Sequence, residues 1–91
     1  MNFNEISDKV SASGFRRSTA AHKIYDKEGN QLQVYDFEHR KKLDMFSVYT
    51  DENGGVLYAE FTKVNFDQQT KRFSQQVHRI NDMRELSRFV R

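Results

Sequence analysis

The chain has 91 residues, of which 31% are charged and 13% are aromatic, and its formal net charge is +2. This length predicts a single domain over residues 1–91, and the well-mixed charges with abundant Phe and Tyr exclude a disordered chain. Because cysteine is absent, disulfides and thiolate metal sites are excluded, and without a signal-peptide core or a membrane-length apolar stretch we expect a cytoplasmic protein.

The first predicted element is a helix over residues 3–13. Its apolar residues recur at three- and four-residue spacing and therefore share one face: Phe3, Ile6 and Val10. Asn2 and Glu5 have the spacing of a capping box at the helix start. Gly14 suits the left-handed position that ends a helix.

Residues 15–80 have the signature of strands joined by short turns. The strands are predicted at residues 15–25, 31–38, 43–50, 56–66 and 72–80. The first is the least typical of a strand, because residues 18–21 have little strand character. Connections of about five residues or fewer favour antiparallel hairpins between neighbouring strands.

A second helix is predicted to begin near Asp82, which again has capping-box spacing to Glu85. Its apolar residues form one stripe, and its arginines form another beside it: Met83, Leu86, Phe89 and Val90, against Arg84, Arg88 and Arg91. We expect the apolar stripe to pack on the sheet. The predicted fold is therefore α+β, with an N-terminal helix, a five-stranded antiparallel meander and a C-terminal helix packed on the sheet.

The positive charge is concentrated near the C-terminus. Residues 68–91 carry six basic and two acidic residues, whereas residues 1–67 carry nine basic and eleven acidic residues. One interpretation is that these arginines complement the helix dipole and keep the surface soluble. The other is that the basic residues form one cationic zone for a phosphate or carboxylate partner: Lys71, Arg72, Arg79, Arg84, Arg88 and Arg91.

Apolar side chains occur on both faces of the predicted strands. Two short helices can cover one face of five strands but hardly two, so either the sheet curls strongly or a partly apolar face is left open. An open face would dock a protein or stack unpaired bases. Its candidate members are Tyr35, Tyr49 and Tyr58, with Lys63 as a basic neighbour. The plainer interpretation puts these tyrosines at the core margin with solvated hydroxyl groups.

The sequence has no pattern typical of catalysis or metal binding. His22, His39 and His78 are far apart and form no paired-histidine motif. Phosphate-binding Gly-rich loops and nucleophile elbows are absent, and the glycines of residues 54–55 lie between two strands, as turn glycines do. We therefore expect no enzyme activity, no cofactor and no metal.

These observations favour a non-catalytic binding module that occupies a protein partner, as an inhibitor, an adaptor or a homo-oligomer subunit, and that does not bind membranes. The alternative is nucleic-acid binding through the basic C-terminal strand and helix with exposed tyrosines. The size of the chain and its lack of Pro and Cys resemble those of many accessory proteins of phages and mobile elements.

Overall fold

The computed structural model describes residues 1–18 and 21–90. It has an N-terminal helix, a six-stranded antiparallel sheet and a short C-terminal helix, which confirms the α+β class. The elements in chain order are α1 (Phe3–Ala12), β1 (Phe15–Arg17), β2 (His22–Tyr25), β3 (Gln31–His39), β4 (Met45–Thr50), β5 (Val56–Asp67), β6 (Arg72–Ile80) and α2 (Met83–Leu86). None of the helices in the described ranges is long and apolar enough to cross a membrane.

The sheet is a meander in the order β1-β3-β4-β5-β6, and β2 pairs with β3 beside β1. The single strand predicted over residues 15–25 is therefore two short strands, and the sheet has six strands rather than five. Phe15 lies opposite His39, and His22 lies opposite Val34 on the same strand β3. Ser18 and Ala21, where strand propensity was low, belong to neither strand; Thr19 and Ala20, within that predicted strand, lie outside the described residues.

Both ends of α1 follow the predicted capping chemistry. The Asn2 Oδ1 accepts the backbone N–H of Glu5 at 2.8 Å, and the Asn2 Nδ2 donates to the Glu5 Oε1 at 2.6 Å. Gly14 follows the helix with φ +96°, and its N–H donates to the Ser11 carbonyl at 3.2 Å. These bonds fix the start and the end of α1 so that Ile6 and Val10 are buried against the sheet.

The predicted C-terminal helix is only one turn long. It begins as expected, because Asp82 Oδ1 accepts the Glu85 N–H at 2.8 Å. After Leu86 the chain continues in tighter turns, with the Arg88 N–H donating to the Glu85 carbonyl at 3.1 Å. The Ser87 hydroxyl donates to the Met83 carbonyl at 2.9 Å, a local bond that competes with helix propagation.

The hydrophobic core lies between the two helices and one face of the sheet. Its members are Ile6, Val10, Phe15, Phe37, Phe46, Val48, Ala59, Phe61, Ile80, Leu86 and Val90. Phe46 is fully buried at its centre, with ring centroids 4.8 Å from Phe15 and 4.9 Å from Phe61. Burial of one such side chain contributes about 1.5–3 kcal/mol. This cluster uses one sheet face, while Leu32 and Val34 are buried on the other face near β2.

Strand β4 begins at Met45 and not at Leu43, where the sequence pattern placed its start. Leu43 is largely exposed, and Asp44 is buried in its place. The Asp44 Oδ1 accepts the backbone N–H of Val64 at 3.4 Å. A carboxylate therefore takes the position beside β5 that a further β4 residue would have occupied.

Candidate functional site

One face of the sheet is open. Side chains alternate along each strand, so Phe46 and Val48 point to the helices while Ser47 and Tyr49 point away from them. The face opposite the core, which we call the open face, carries His22 and Ile24 of β2, Leu32, Val34 and Asp36 of β3, Met45, Ser47 and Tyr49 of β4, Tyr58, Glu60, Thr62, Val64 and Phe66 of β5, and Phe73, Gln75, Val77 and Arg79 of β6. No helix of the described chain packs there. Leu32 and Val34 on this face are nonetheless buried, with 8% and 3% of their surface exposed, so the face is open toward β5 and β6 and closed near β2 and β3.

A row of polar residues crosses the open face. The register places Asp36 opposite Ser47, Ser47 opposite Glu60, and Glu60 opposite Arg79. At a strand spacing of about 4.8 Å, this polar row spans roughly 14 Å. The Ser47 hydroxyl donates to Asp36 Oδ1 at 2.7 Å, and His22 Nε2 lies 3.1 Å from Asp36 Oδ2. Both carboxylate oxygens of Asp36 are therefore engaged.

The polar row is not arranged for nucleophilic catalysis. In a catalytic triad the serine hydroxyl is hydrogen-bonded to the histidine, which takes its proton. Here the Ser47 hydroxyl donates to Asp36 instead, and His22 binds the other oxygen of that same carboxylate. Within residues 1–18 and 21–90, no group of three or more His, Asp or Glu side chains is placed to hold a metal ion.

An aromatic stack runs beside the polar row. The rings of Tyr49 and Tyr58 are stacked, with centroids 4.5 Å apart and an interplanar angle of 16°. The guanidinium carbon of Arg79 lies 4.0 Å from the centroid of the Tyr58 ring. Tyr49 and Arg79 come from the strands on either side of Tyr58, so both faces of the Tyr58 ring are occupied. This ring does not offer a free surface on which a base could stack.

Tyr49 is also bound to the polar row. Burial raises the pKa of its phenol well above the usual value, and the hydrogen bond to the Glu60 carboxylate raises it further. The phenol is therefore a neutral hydrogen-bond donor near neutral pH. Tyr49 and Glu60 hold each other in place from neighbouring strands.

Strands β5 and β6 extend past the rest of the sheet. Because Met45, the first residue of β4, pairs with Thr62, residues 63–76 form a two-stranded projection, which we call the arm. On its open-face side the rings of Phe66 and Phe73 are 4.8 Å apart, yet Phe66 is 46% exposed, Phe73 66% and Val77, at the base of the arm, 53%. Exposed apolar patches of this kind are typical of interaction surfaces.

Tyr35 does not belong to the open face. It lies on the covered face, where its ring centroid is 4.6 Å from that of Phe3 and 5.0 Å from the guanidinium carbon of Arg17. Its hydroxyl donates to the Gln33 Oε1 at 3.0 Å. The expectation that three tyrosines share one surface thus holds for Tyr49 and Tyr58 alone.

The predicted cationic zone is divided between two sides of the molecule. Arg79 lies on the open face, whereas Lys63 and Arg72 alternate with the open-face residues of the arm and point to the other side. Lys71 lies at the tip of the arm. Arg84 and Arg88 belong to the C-terminal segment that packs on the covered face, and Arg91 is outside the described residues. Among the described residues of the predicted cationic zone, Arg79 is the one that lies on the open face.

A small cavity lies on the covered face. It measures about 240 Å³ and is lined by Ser13, Phe15, His39, Lys42, Asp44, Phe61, Phe89 and Val90. Two of its polar side chains bind backbone N–H groups: His39 Nδ1 accepts those of Lys41 and Lys42 at 3.0 and 3.1 Å, and Asp44 accepts that of Val64. Two larger cavities, of about 570 and 430 Å³, lie among mostly exposed loop residues around positions 26–32 with 51–57, and around positions 38–45. The geometry thus favours the open face as the candidate site.

The Phe66–Phe73 pair was not among the residues singled out from the sequence. The signal was present, because the two phenylalanines flank the turn of residues 67–72 symmetrically and a hairpin pairs such positions. His22, Asp36 and Ser47 had no such signal, since they come from three separate strands. Comparisons with protein-family models, curated proteins and solved structures found no match to this chain.

Proposed function

We propose that this protein is a non-catalytic, cytoplasmic binding module that acts by occupying a protein partner through its open face. The observation that supports this most directly is the exposed Phe66–Phe73 pair, which continues through Val77 into the open face. Interface cores are enriched in aromatic residues and Arg. The open face combines those residue types with a polar row whose hydrogen-bonding groups can orient a bound partner.

The energetics favour a partner at this surface. Complete burial of side chains the size of Phe or Val is worth about 1.5–3 kcal/mol each. Phe66, Phe73 and Val77 leave much of that free energy unused in the isolated chain, because each is about half exposed or more. A partner that covers the three side chains would add this burial free energy to the binding free energy.

A protein fits the open face better than a nucleic acid does. Both ring faces of Tyr58 are already occupied, so the tyrosines lack the free surface that base stacking needs. The polar row includes Asp36 and Glu60, which repel phosphate. Lys63 and Arg72 project from the side of the arm opposite to the exposed phenylalanines.

One observation favours nucleic acid as the second candidate function. Phe73 is exposed, and Lys71 precedes it by two residues at the tip of the arm; exposed aromatic rings combined with basic residues are used by single-strand binders. Titration of a labelled single strand at two salt concentrations tests it. Affinity that falls steeply with salt supports this function, and no binding at low salt removes it.

The main proposal is tested by affinity capture from the native host lysate with matched variants. The test variant carries Phe66→Ser and Phe73→Ser. The control carries Tyr25→Ser and Leu43→Ser, because Tyr25 and Leu43 are 68% and 57% exposed and lie away from the open face. Circular dichroism and thermal unfolding are used to match the folded fraction of both variants.

We expect a protein that stays bound after nuclease treatment, that is retained by the control and that is lost from the test variant. Size-exclusion chromatography with light scattering reports whether this partner is a second copy of the chain. Capture that disappears with nuclease, or that survives the loss of both phenylalanines, contradicts the proposed contact.

A further inference from the structure

We propose that the partner docks by adding an extended, acidic strand to the outer edge of β6. This inference rests on the proposed function, since it requires a protein partner. It goes further by naming the docking edge, the backbone conformation of the partner segment and its charge.

Strand β6 presents a long, regular edge. It has nine residues, lies at the end of the sheet order and is exposed at every position except Ile80. Its register with β5 runs without a shift from Ala59 opposite Ile80 to Asp67 opposite Arg72, and it contains no Pro. In the described part of the chain, no backbone group of residues 72–79 bonds to anything other than β5. Such an edge is a template for another strand.

The other edges of the sheet are blunted. At the opposite side, β1 and β2 have only three and four residues; short edge strands discourage pairing. The outer edge of β5 in the arm is short, and the Asp44 carboxylate already accepts its Val64 N–H. Strand β6 is thus the edge that remains available over its full length.

The arm gains most from a third strand. Residues 63–76 have only two strands, and a two-stranded ribbon is marginally stable in water unless a third strand or a helix supports it. A segment added to β6 would give the arm that third strand. Its side chains on the open-face side would cover Phe73 and Val77, the exposed apolar residues of β6.

The charges of β6 indicate what kind of strand fits. Arg72, His78 and Arg79 lie on it, with Lys71 just before it and no acidic residue between positions 71 and 80. A second copy of β6 would add a second positively charged strand to this edge, and the two strands would repel each other. Carboxylates on the incoming strand would instead be attracted to the basic residues of β6. The occupant is therefore an acidic segment with apolar residues at alternate positions.

The test uses a capped nine-residue peptide of alternating Glu and Val, added to the full chain and followed by NMR and calorimetry. Two further peptides carry N-methyl groups, one on the Glu set and one on the Val set. In a strand, neighbouring N–H groups point to opposite edges, so one of these sets faces β6. We expect one methylated peptide to bind at least about tenfold more weakly than the other, because methylation removes ladder hydrogen bonds.

Charge is tested on the protein with matched variants. Arg72→Gln with Arg79→Gln is expected to weaken peptide binding about tenfold at low salt, while Arg84→Gln with Arg88→Gln, which removes the same charge from the C-terminal segment, leaves it nearly unchanged. A peptide with Lys in place of Glu is expected not to bind. Amide hydrogens of β6 should exchange more slowly in the complex.

Strand addition is overturned if the Glu-Val peptide does not bind, if both methylated peptides bind equally, or if the two arginine pairs have the same effect. A self-associated chain whose dimer pairs β6 with β6 would also overturn the acidic occupant. None of these results affects the capture of a partner that depends on Phe66 and Phe73. The failure of this inference and the failure of the proposed function are therefore distinguishable.

Discussion

Arg79 places its guanidinium carbon 4.0 Å from the ring centroid of Tyr58. The two residues lie on adjacent strands, and Arg79 is also opposite Glu60, so one side chain joins the aromatic stack to the polar row. Its Nε donates to the Asn81 Oδ1 at 3.3 Å, and this hydrogen bond helps to fix the position of the guanidinium group. Arg79 therefore orders the part of the open face that borders the arm.

The contact between Arg79 and Tyr58 is expected to stabilise the fold through a cation–π interaction. Arg79→Met keeps a long apolar side chain over the ring but removes the charge, and should lower the free energy of unfolding by about 0.5–1 kcal/mol, the range for exposed pairs. Tyr58→Leu removes the ring. A double-mutant cycle measured by urea unfolding should give a coupling of the same size. Full additivity of the two changes would contradict a direct interaction.

The raised pKa of Tyr49 predicts how stability responds to alkaline pH. Because its pKa is higher in the folded chain than in the unfolded chain, its contribution is fully present below about pH 10, the unfolded pKa, and is lost as pH rises toward the folded pKa. The unfolded chain then binds fewer protons, so stability falls with pH. A difference of one full proton between the two states would change stability by about 1.4 kcal/mol per pH unit. The slope due to Tyr49 should be smaller, because solvent screens this half-buried group.

Urea unfolding at a series of pH values above 9 measures this response. Tyr49→Phe is expected to flatten the decline, and Tyr58→Phe, which removes a hydroxyl from the other ring of the stack, serves as the control. Glu60→Gln should lower the pKa of Tyr49, detected by phenolate absorbance, because it removes the carboxylate that disfavours ionisation. An unchanged slope in Tyr49→Phe would show that other groups control the alkaline transition.

Much of the architecture could be predicted because its signals are local. Asn2 and Asp82 cap their helices at the predicted positions, since a cap needs only a side-chain oxygen three residues before a free N–H. Short connections predicted the meander, and alternation separated Tyr58 from Phe61 within β5. Strict alternation would put Val56 on the same face as Tyr58. It does not, because the pairing of β4 with β5 shifts register between Tyr49 and Thr50 and places Val56 opposite Thr50. Such a bulge depends on pairing with β4 and has no signal within β5 itself.

The composition of the open face could not be predicted, because it depends on register between strands. Tyr35 pairs with Val48, whereas Tyr49 pairs with Val34, so these two tyrosines point to opposite faces. A shift of one residue would have placed them together. The polar row has the same origin: Asp36, Ser47 and Glu60 come from three strands and become neighbours only through two registers.

Gly14 is expected to tolerate no side chain. Its φ of +96° is unfavourable for other residues, and a Cβ there would lie 2.8 Å from the His39 Nε2. His39 cannot move freely, because its Nδ1 accepts two backbone N–H groups of the following loop. We therefore expect Gly14→Ala to cost more than the about 1–2 kcal/mol of left-handed backbone strain alone.

Gly29→Ala is the matched control for that substitution. Gly29 has a similar φ of +83°, and a Cβ added to it would meet no atom within 4 Å, so it reports backbone strain without a clash. Urea unfolding should show a larger loss for Gly14→Ala, and the excess should shrink when His39→Ala is added. Equal losses at the two glycines would show that His39 moves aside.

Lys71 occupies a left-handed backbone position at the tip of the arm, with φ +56°. A residue with a Cβ pays about 1–2 kcal/mol there, while glycine loses only its larger chain entropy, about 0.5–1 kcal/mol. Lys71→Gly should therefore raise the free energy of unfolding by up to about 1 kcal/mol, seen as a higher urea midpoint at unchanged m-value. Lys71→Ala removes the same charge but keeps the strain, and should give no such gain. If both variants shift the midpoint equally, the effect comes from removing a cation beside Arg72, and the backbone conformation of Lys71 is not strained.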